Sequence, residues 1–161
     1  MKLYIKQKVF SWKDRFTVKD INGNDRYYVE GELFSLGKKL HIYNHKNEEV
    51  AMIVQKVFSF LPRYFVYING VETAQIVKEF TFFRHKYRIE GLNWEVTGDF
   101  LAHDYTVSHN EQPIVSISKE WMTWGDSYEL DMADGADEIA SLAVVLAIDC
   151  VMANTGNAAA N

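Results

Sequence analysis

Apolar and polar positions alternate along most of this chain with a period of two, the spacing that puts successive side chains on opposite faces of a β-strand. Phe16 and Val18, Tyr64 and Val66, and Tyr128 and Leu130 each stand two apart and so share a strand face. Tight-turn signals punctuate these runs. Asn22-Gly23, Asn69-Gly70 and Asp134-Gly135 are pairs suited to backbone with positive φ, where glycine meets no steric penalty and Asn or Asp little. Further β-rich runs follow at Tyr27-Tyr28-Val29, Val50 to Val54, Val71 to Val77, Trp94 to Thr97 and Ile114 to Ile117.

The runs belong to an internal repeat. Gln7 to Gly23 (QKVFSWKDRFTVKDING), Gln55 to Gly70 (QKVFSFLPRYFVYING) and Lys119 to Gly135 (KEWMTWGDSYELDMADG) share one template. It reads bulky residue, Ser or Thr, bulky residue, turn, alternating run, Gly. Its anchors are Phe10, Phe58 and Met122, and Phe10, Phe34 and Phe58 are spaced by 24. Weaker copies begin at Phe34 and Phe80, and a loose sixth surrounds Phe100. Six two-stranded units predict about twelve antiparallel strands, and closure into a barrel removes the exposed edge such a sheet would leave.

One segment breaks the period. Residues 137–153 are apolar on every face, and Ile139, Leu142, Val145 and Leu146 lie among acids only at the start and Asp149 near the end. Such a helix is either a membrane span or buried on all sides. About 25 Å of helix falls short of the ~30 Å hydrocarbon core, and Asp149 would lie inside it, so a helix threaded through the barrel is the expectation. Asp134 is the expected N-cap, and Asp149 is expected at the barrel mouth or on loop amides. The domain is placed at 1–153, with a disordered tail at 154–161.

The opening KQKVFSWKDRFTVKDINGN, the phrase GELFSLGKKLHIY and the ending DGADEIASLAVVLAIDCV resemble bacterial members of the LURP-one-related family. The resemblance spans about residues 3–152 and implies a tubby C-terminal-like fold, a twelve-stranded barrel around a central hydrophobic helix. It also implies kinship with tubby proteins and phospholipid scramblases. It brings no catalytic residues with it.

Composition narrows the picture further. At 161 residues, with 48% apolar and 24% charged positions, the chain is one globular domain. A single cysteine, Cys150, forms no internal disulfide, and lysines at 2, 6 and 8 interrupt any signal-peptide core. The expectation is a cytoplasmic protein, with peripheral contact at the inner membrane surface allowed and no transmembrane span. The net charge of −5 argues against nucleic acid. It conceals an asymmetry: residues 1–91 carry 16 Lys+Arg against 10 Asp+Glu, net +6, and residues 92–161 carry 1 against 12, net −11.

That asymmetry supplies the candidate site. Turns inside the units of an up-and-down meander lie at one barrel end, and the first four hold Lys13, Arg15, Lys38, Lys39, Arg63, Arg84 and Lys86. The last two hold Asp104 and Asp126. The basic turns make a candidate rim for an anionic phospholipid headgroup or another anionic partner. The alternative is a protein-interaction scaffold built on strand aromatics such as Tyr27, Tyr28 and Tyr43.

Catalytic and metal chemistry find little support. His41 and His45 have ligand spacing only on a helix, and His103 and His109 have no recognisable nucleophile. Asp131, Asp134, Asp137 and Glu138 lack the alternation of a calcium loop. Burial makes Cys150 inert. A non-enzymatic binding module without metal or cofactor is the expectation.

Overall fold

In the computed structural model, residues 1–6, 15–32, 36–79, 86–100, 102–120 and 127–158 are described; side chains are not described at Lys6, Lys86, Glu120 and 154–158. Alternation produces β1 (Lys2–Lys6), β2 (Phe16–Asp20), β3 (Asp25–Glu32), β4 (Lys39–Asn44), β5 (Glu49–Gln55) and β6 (Arg63–Ile68). It continues through β7 (Val71–Glu79), β8 (Lys86–Glu90), β9 (Trp94–Asp99), β10 (Asp104–His109), β11 (Gln112–Glu120) and β12 (Ser127–Met132), and α1 (Glu138–Ala158) follows. Each strand pairs with its sequence neighbour, and β1 pairs with β12, so the antiparallel sheet is a closed barrel of twelve strands with one C-terminal helix.

The repeat has a structural counterpart. Register shifts fall between Val18 and Lys19, Ile42 and Tyr43, Val66 and Tyr67, and Val107 and Ser108. Each lies two residues before a strand ends at the same end of the barrel, where the extra residue bends the strand and helps the sheet to curl. Asn69 and Gly70 both take positive φ, as the two-residue hairpin requires.

The interior belongs to the helix. Ile5, Val18, Val29, Ile42, Ile53 and Val66 point inward with no exposed surface, and every residue from Leu142 to Ile148 is equally buried. A helix without a polar face is stable here because a strand wall surrounds it. Among the described residues no helix is long and apolar enough to cross a membrane. The outward strand faces carry charge pairs such as Lys2–Glu129, Lys19–Asp25 and Arg88–Glu90.

Two details differ from the sequence expectation. The cap is Asp137, whose Oδ1 accepts the Ala140 amide at 3.0 Å, since Asp134 falls in the turn that precedes the helix. The helix also continues past Ala153 to Ala158, which places Asp149 well inside it.

Candidate functional site at the hairpin end of the barrel

The turns joining β1 to β2, β3 to β4, β5 to β6, β7 to β8, β9 to β10 and β11 to β12 lie at one end, because the strands alternate in direction around a closed sheet. Among the described residues, the basic ones of these turns, Arg15, Lys38, Lys39 and Arg63, share that end but not one environment. Arg15 lies 3.6 Å from Glu30 and stacks over Tyr28 at 5.1 Å. Lys39 is 3.1 Å from Glu32, and Arg63 donates to the Gln75 side chain at 3.0 Å with Glu90 at 4.0 Å. These three spend charge on acids and amides of the outer wall. Lys38 is half-buried, and that burial pulls its ammonium pKa below the ordinary value. Lys13 and Arg84 lie outside the described residues, as does the Lys86 side chain, whose backbone opens β8 opposite Glu79.

Two cations missed by the sequence reading complete the picture. Lys56 is exposed just beyond β5, with its ammonium 5.9 Å from the Phe65 ring centroid. Lys78, near the end of β7, has its pKa lowered by burial alone. Two acids at this end are engaged, Glu32 by Lys39 and His41, and Glu79 by Arg88. Residues 33–47 and 50–71 contain no Asp or Glu at all.

The β3–β4 and β5–β6 connections are locked to each other. The Lys38 amide donates to Gln55 Oε1 at 3.1 Å, and the Gln55 amide donates back to the Lys38 carbonyl at 2.8 Å. Gly37 takes φ +87°, and a Cβ there would stand 2.8 Å from Val57 Cγ1, so glycine allows both the turn and the approach. Beyond this contact the chain turns apolar groups outward: Leu36 is 79% exposed, Phe58 98% and Phe60 92%. A pocket of about 530 Å³ lies beside them, lined in part by Leu36, Gln55, Lys56, Phe58, Phe60 and Pro62. The repeat had marked Phe58 only as an anchor. No hydrophobic pattern signals an outward tip here, and Pro62 signals only the turn.

A second polar group lies inside this end. Asp149 is 1% exposed, accepts a short hydrogen bond from the Tyr128 hydroxyl and stands 3.6 Å from His103 Nε2. It therefore sits in the barrel wall's shadow rather than at the mouth or on loop amides. The cause is the path of the helix against β12, which sets Asp149 beside Tyr128, the second residue of that strand. The His103 ring lies 4.6 Å from that of Tyr128, and Phe100 bridges Tyr87 and Tyr105 at 4.5 and 5.2 Å. Burial, and then the Asp149 charge, push Tyr87 up to about 12 and raise Tyr105 and Tyr128 as well. Burial likewise raises the Cys150 thiol.

Other sequence candidates make polar contacts on the outer wall and at the helix start. His41 is held between Glu49 at 2.6 Å and Glu32 at 3.3 Å on the outer wall. Glu138 takes a two-pronged contact from Arg26 at 3.0 and 3.1 Å. Tyr27, expected as an exposed aromatic, is buried: β3 alternates, so Tyr27 and Val29 face the core while Tyr28 faces out beside Tyr43.

A closed twelve-stranded barrel filled by its own C-terminal helix is the frame for comparison with known proteins. The sequence profile described as LURP-one-related matches residues 1–149. The chain belongs to the LURP-one-related family. This LURP-one-related protein is 37% identical over 154 residues to the uncharacterized protein YxjI of Bacillus subtilis (strain 168), covering 96% of this chain and 95% of that one. Its fold is similar to an X-ray structure of a protein from Arabidopsis thaliana, with a TM-score of 0.64 at 14% identity over 92% of this chain and 90% of the other.

Proposed function

We propose that this LURP-one-related protein is a non-enzymatic binding module whose hairpin end engages an anionic phospholipid surface. The observation that carries the reading is the segregation of charge. Lys56 and Lys78 stand at one end, Lys56 within the acid-free stretch 50–71, while Glu32 is paired with Lys39 and His41 and Glu79 with Arg88. A half-buried lysine with a lowered pKa is a cation short of solvation, and a phosphate brought to it restores what burial removed. The helix occupies the barrel axis, where an enclosed substrate would otherwise sit, which favours binding over catalysis. A protein-interaction scaffold is the weaker reading, because Tyr27 is withdrawn into the core.

Cosedimentation with phosphatidylglycerol–phosphatidylcholine vesicles tests the reading. Wild type is expected to bind, and to release as salt rises. Each cation near an anionic surface contributes ~1 kcal/mol, so Lys56→Glu and Lys78→Gln combined are expected to weaken binding roughly thirtyfold. Equal sedimentation with purely zwitterionic vesicles, or none with either, sinks the proposal.

A further inference from the structure

We propose that Leu36, Phe58 and Phe60 form a wedge that inserts between the headgroups of the anionic bilayer, with Lys56 at the level of the phosphates. The inference rests on the reading above and adds what that reading lacks, an apolar element and a fixed orientation. It begins from the cost of the arrangement in the free protein. Phe58 takes φ +56°, in the left-handed region that bulky side chains avoid, and the conformation leaves its ring 98% exposed. Among the described non-glycine residues with positive φ, Phe58 carries the one large apolar side chain, an outlier that motivates a functional reading. Phe60 at 92% and Leu36 at 79% extend the same exposure across two neighbouring hairpins.

These are the largest values among the exposed large apolar side chains described, and all three belong to one end. Their setting specifies the occupant. The tips are exposed at the end of the barrel beside the pocket that they help to line, and Lys56 follows β5 directly at the base of the Phe58 loop. Apolar tips with a cation behind them match the layering of a bilayer, in which phosphates lie just outside the first methylenes. The rigid link between the hairpins favours simultaneous entry: the paired bonds between Lys38 and Gln55, and the seat of Val57 against Gly37, fix Leu36 relative to Phe58. The pocket beside the tips has the size of a small-molecule site and is walled by the same side chains, so a headgroup drawn against Lys56 can lie in it while the rings penetrate.

The test attaches an environment-sensitive NBD label at Ser59→Cys, between the two rings, in the full chain. Cys150 is buried and so is spared labelling. On phosphatidylglycerol-containing vesicles the emission is expected to shift to the blue and to be quenched by lipids carrying a nitroxide near the glycerol. Phe58→Ser with Phe60→Ser is expected to retain the wild-type melting profile and to weaken vesicle binding at least about tenfold. Salt-sensitive binding with a water-like label and unchanged affinity of the double variant overturns insertion while leaving the electrostatic reading intact. A label that moves to the blue with zwitterionic vesicles alone overturns the electrostatic reading and the proposed layering with it. Absence of binding to anionic vesicles overturns both. Quenching that is lost in Lys56→Glu but kept when Lys119, on the far wall, is changed to Glu supports the wedge and its orientation.

Discussion

At the scale of single residues, the strongest constraint is the buried carboxylate of Asp149. Its Oδ2 accepts from the Tyr128 hydroxyl, while Oδ1, His103 Nδ1 and the Tyr105 hydroxyl have no hydrogen-bond partner among the described residues. Removing the one donor leaves a buried acceptor unsatisfied, so Tyr128→Phe is expected to cost about 1–3 kcal/mol in urea denaturation. Asp149→Leu made in that background is expected to restore part of the loss, because both members of the pair are then apolar. Additive losses would show that Tyr128 and Asp149 act independently. The sequence announced the need for a donor but not its identity. Asp149 and Tyr128 are 21 positions apart, and only the placement of the helix against β12 brings them together.

At the scale of elements, the helix start shows how one strand and the helix are coupled. Arg26 on β3 grips Glu138, the first residue of α1. Burial pulls the Glu138 pKa upward, but the hydrogen bonds from Arg26 and Tyr27 outweigh it and hold the carboxyl below its ordinary 4.5. A group depressed in the folded state stabilises above its unfolded pKa and loses that contribution as pH falls through the folded value. Arg26→Gln is therefore expected to lower stability by about 1 kcal/mol at neutral pH, the pair being partly solvated. The gap to wild type is expected to close below pH ~4.5 in denaturant titrations. A constant gap across the acid range would mean that Arg26 stabilises by packing instead.

Elements were also what the sequence conveyed best. Period-two alternation and the Asn-Gly pairs announced strands and hairpins because they are local, and the all-round apolar segment announced a surrounded helix. The cap and the tips escaped for opposite reasons. Asp134 and Asp137 are equally good caps in composition, and only the turn at Ala133–Ala136 decides between them. Phe58 and Phe60 read as core residues by type, and their exposure depends on a backbone conformation that no hydrophobic pattern encodes.

At the scale of the whole molecule, closure is the property on which the core depends. The Arabidopsis structure has a similar fold at 14% identity, so the fold is compatible with widely different sequences. The seam lies at β1, which joins β12 from Lys2↔Asp131 to Lys6↔Ser127 and β2 from Leu3↔Asp20 to Ile5↔Val18. The N-terminal ammonium adds a bond to the Met132 carbonyl at 2.7 Å. Deleting Met1–Lys6 removes Leu3 and Ile5 from the core, strips the helix of one wall and leaves β2 and β12 as open edges. The expected outcome is loss of the single cooperative unfolding transition, binding of a hydrophobic dye, and assembly through the edges detected by size-exclusion chromatography. Adding a synthetic peptide of residues 1–6 in excess is expected to reverse the assembly partly, since the peptide can pair with both edges at once. A shortened chain that unfolds cooperatively at the wild-type midpoint would show that eleven strands suffice to enclose the helix.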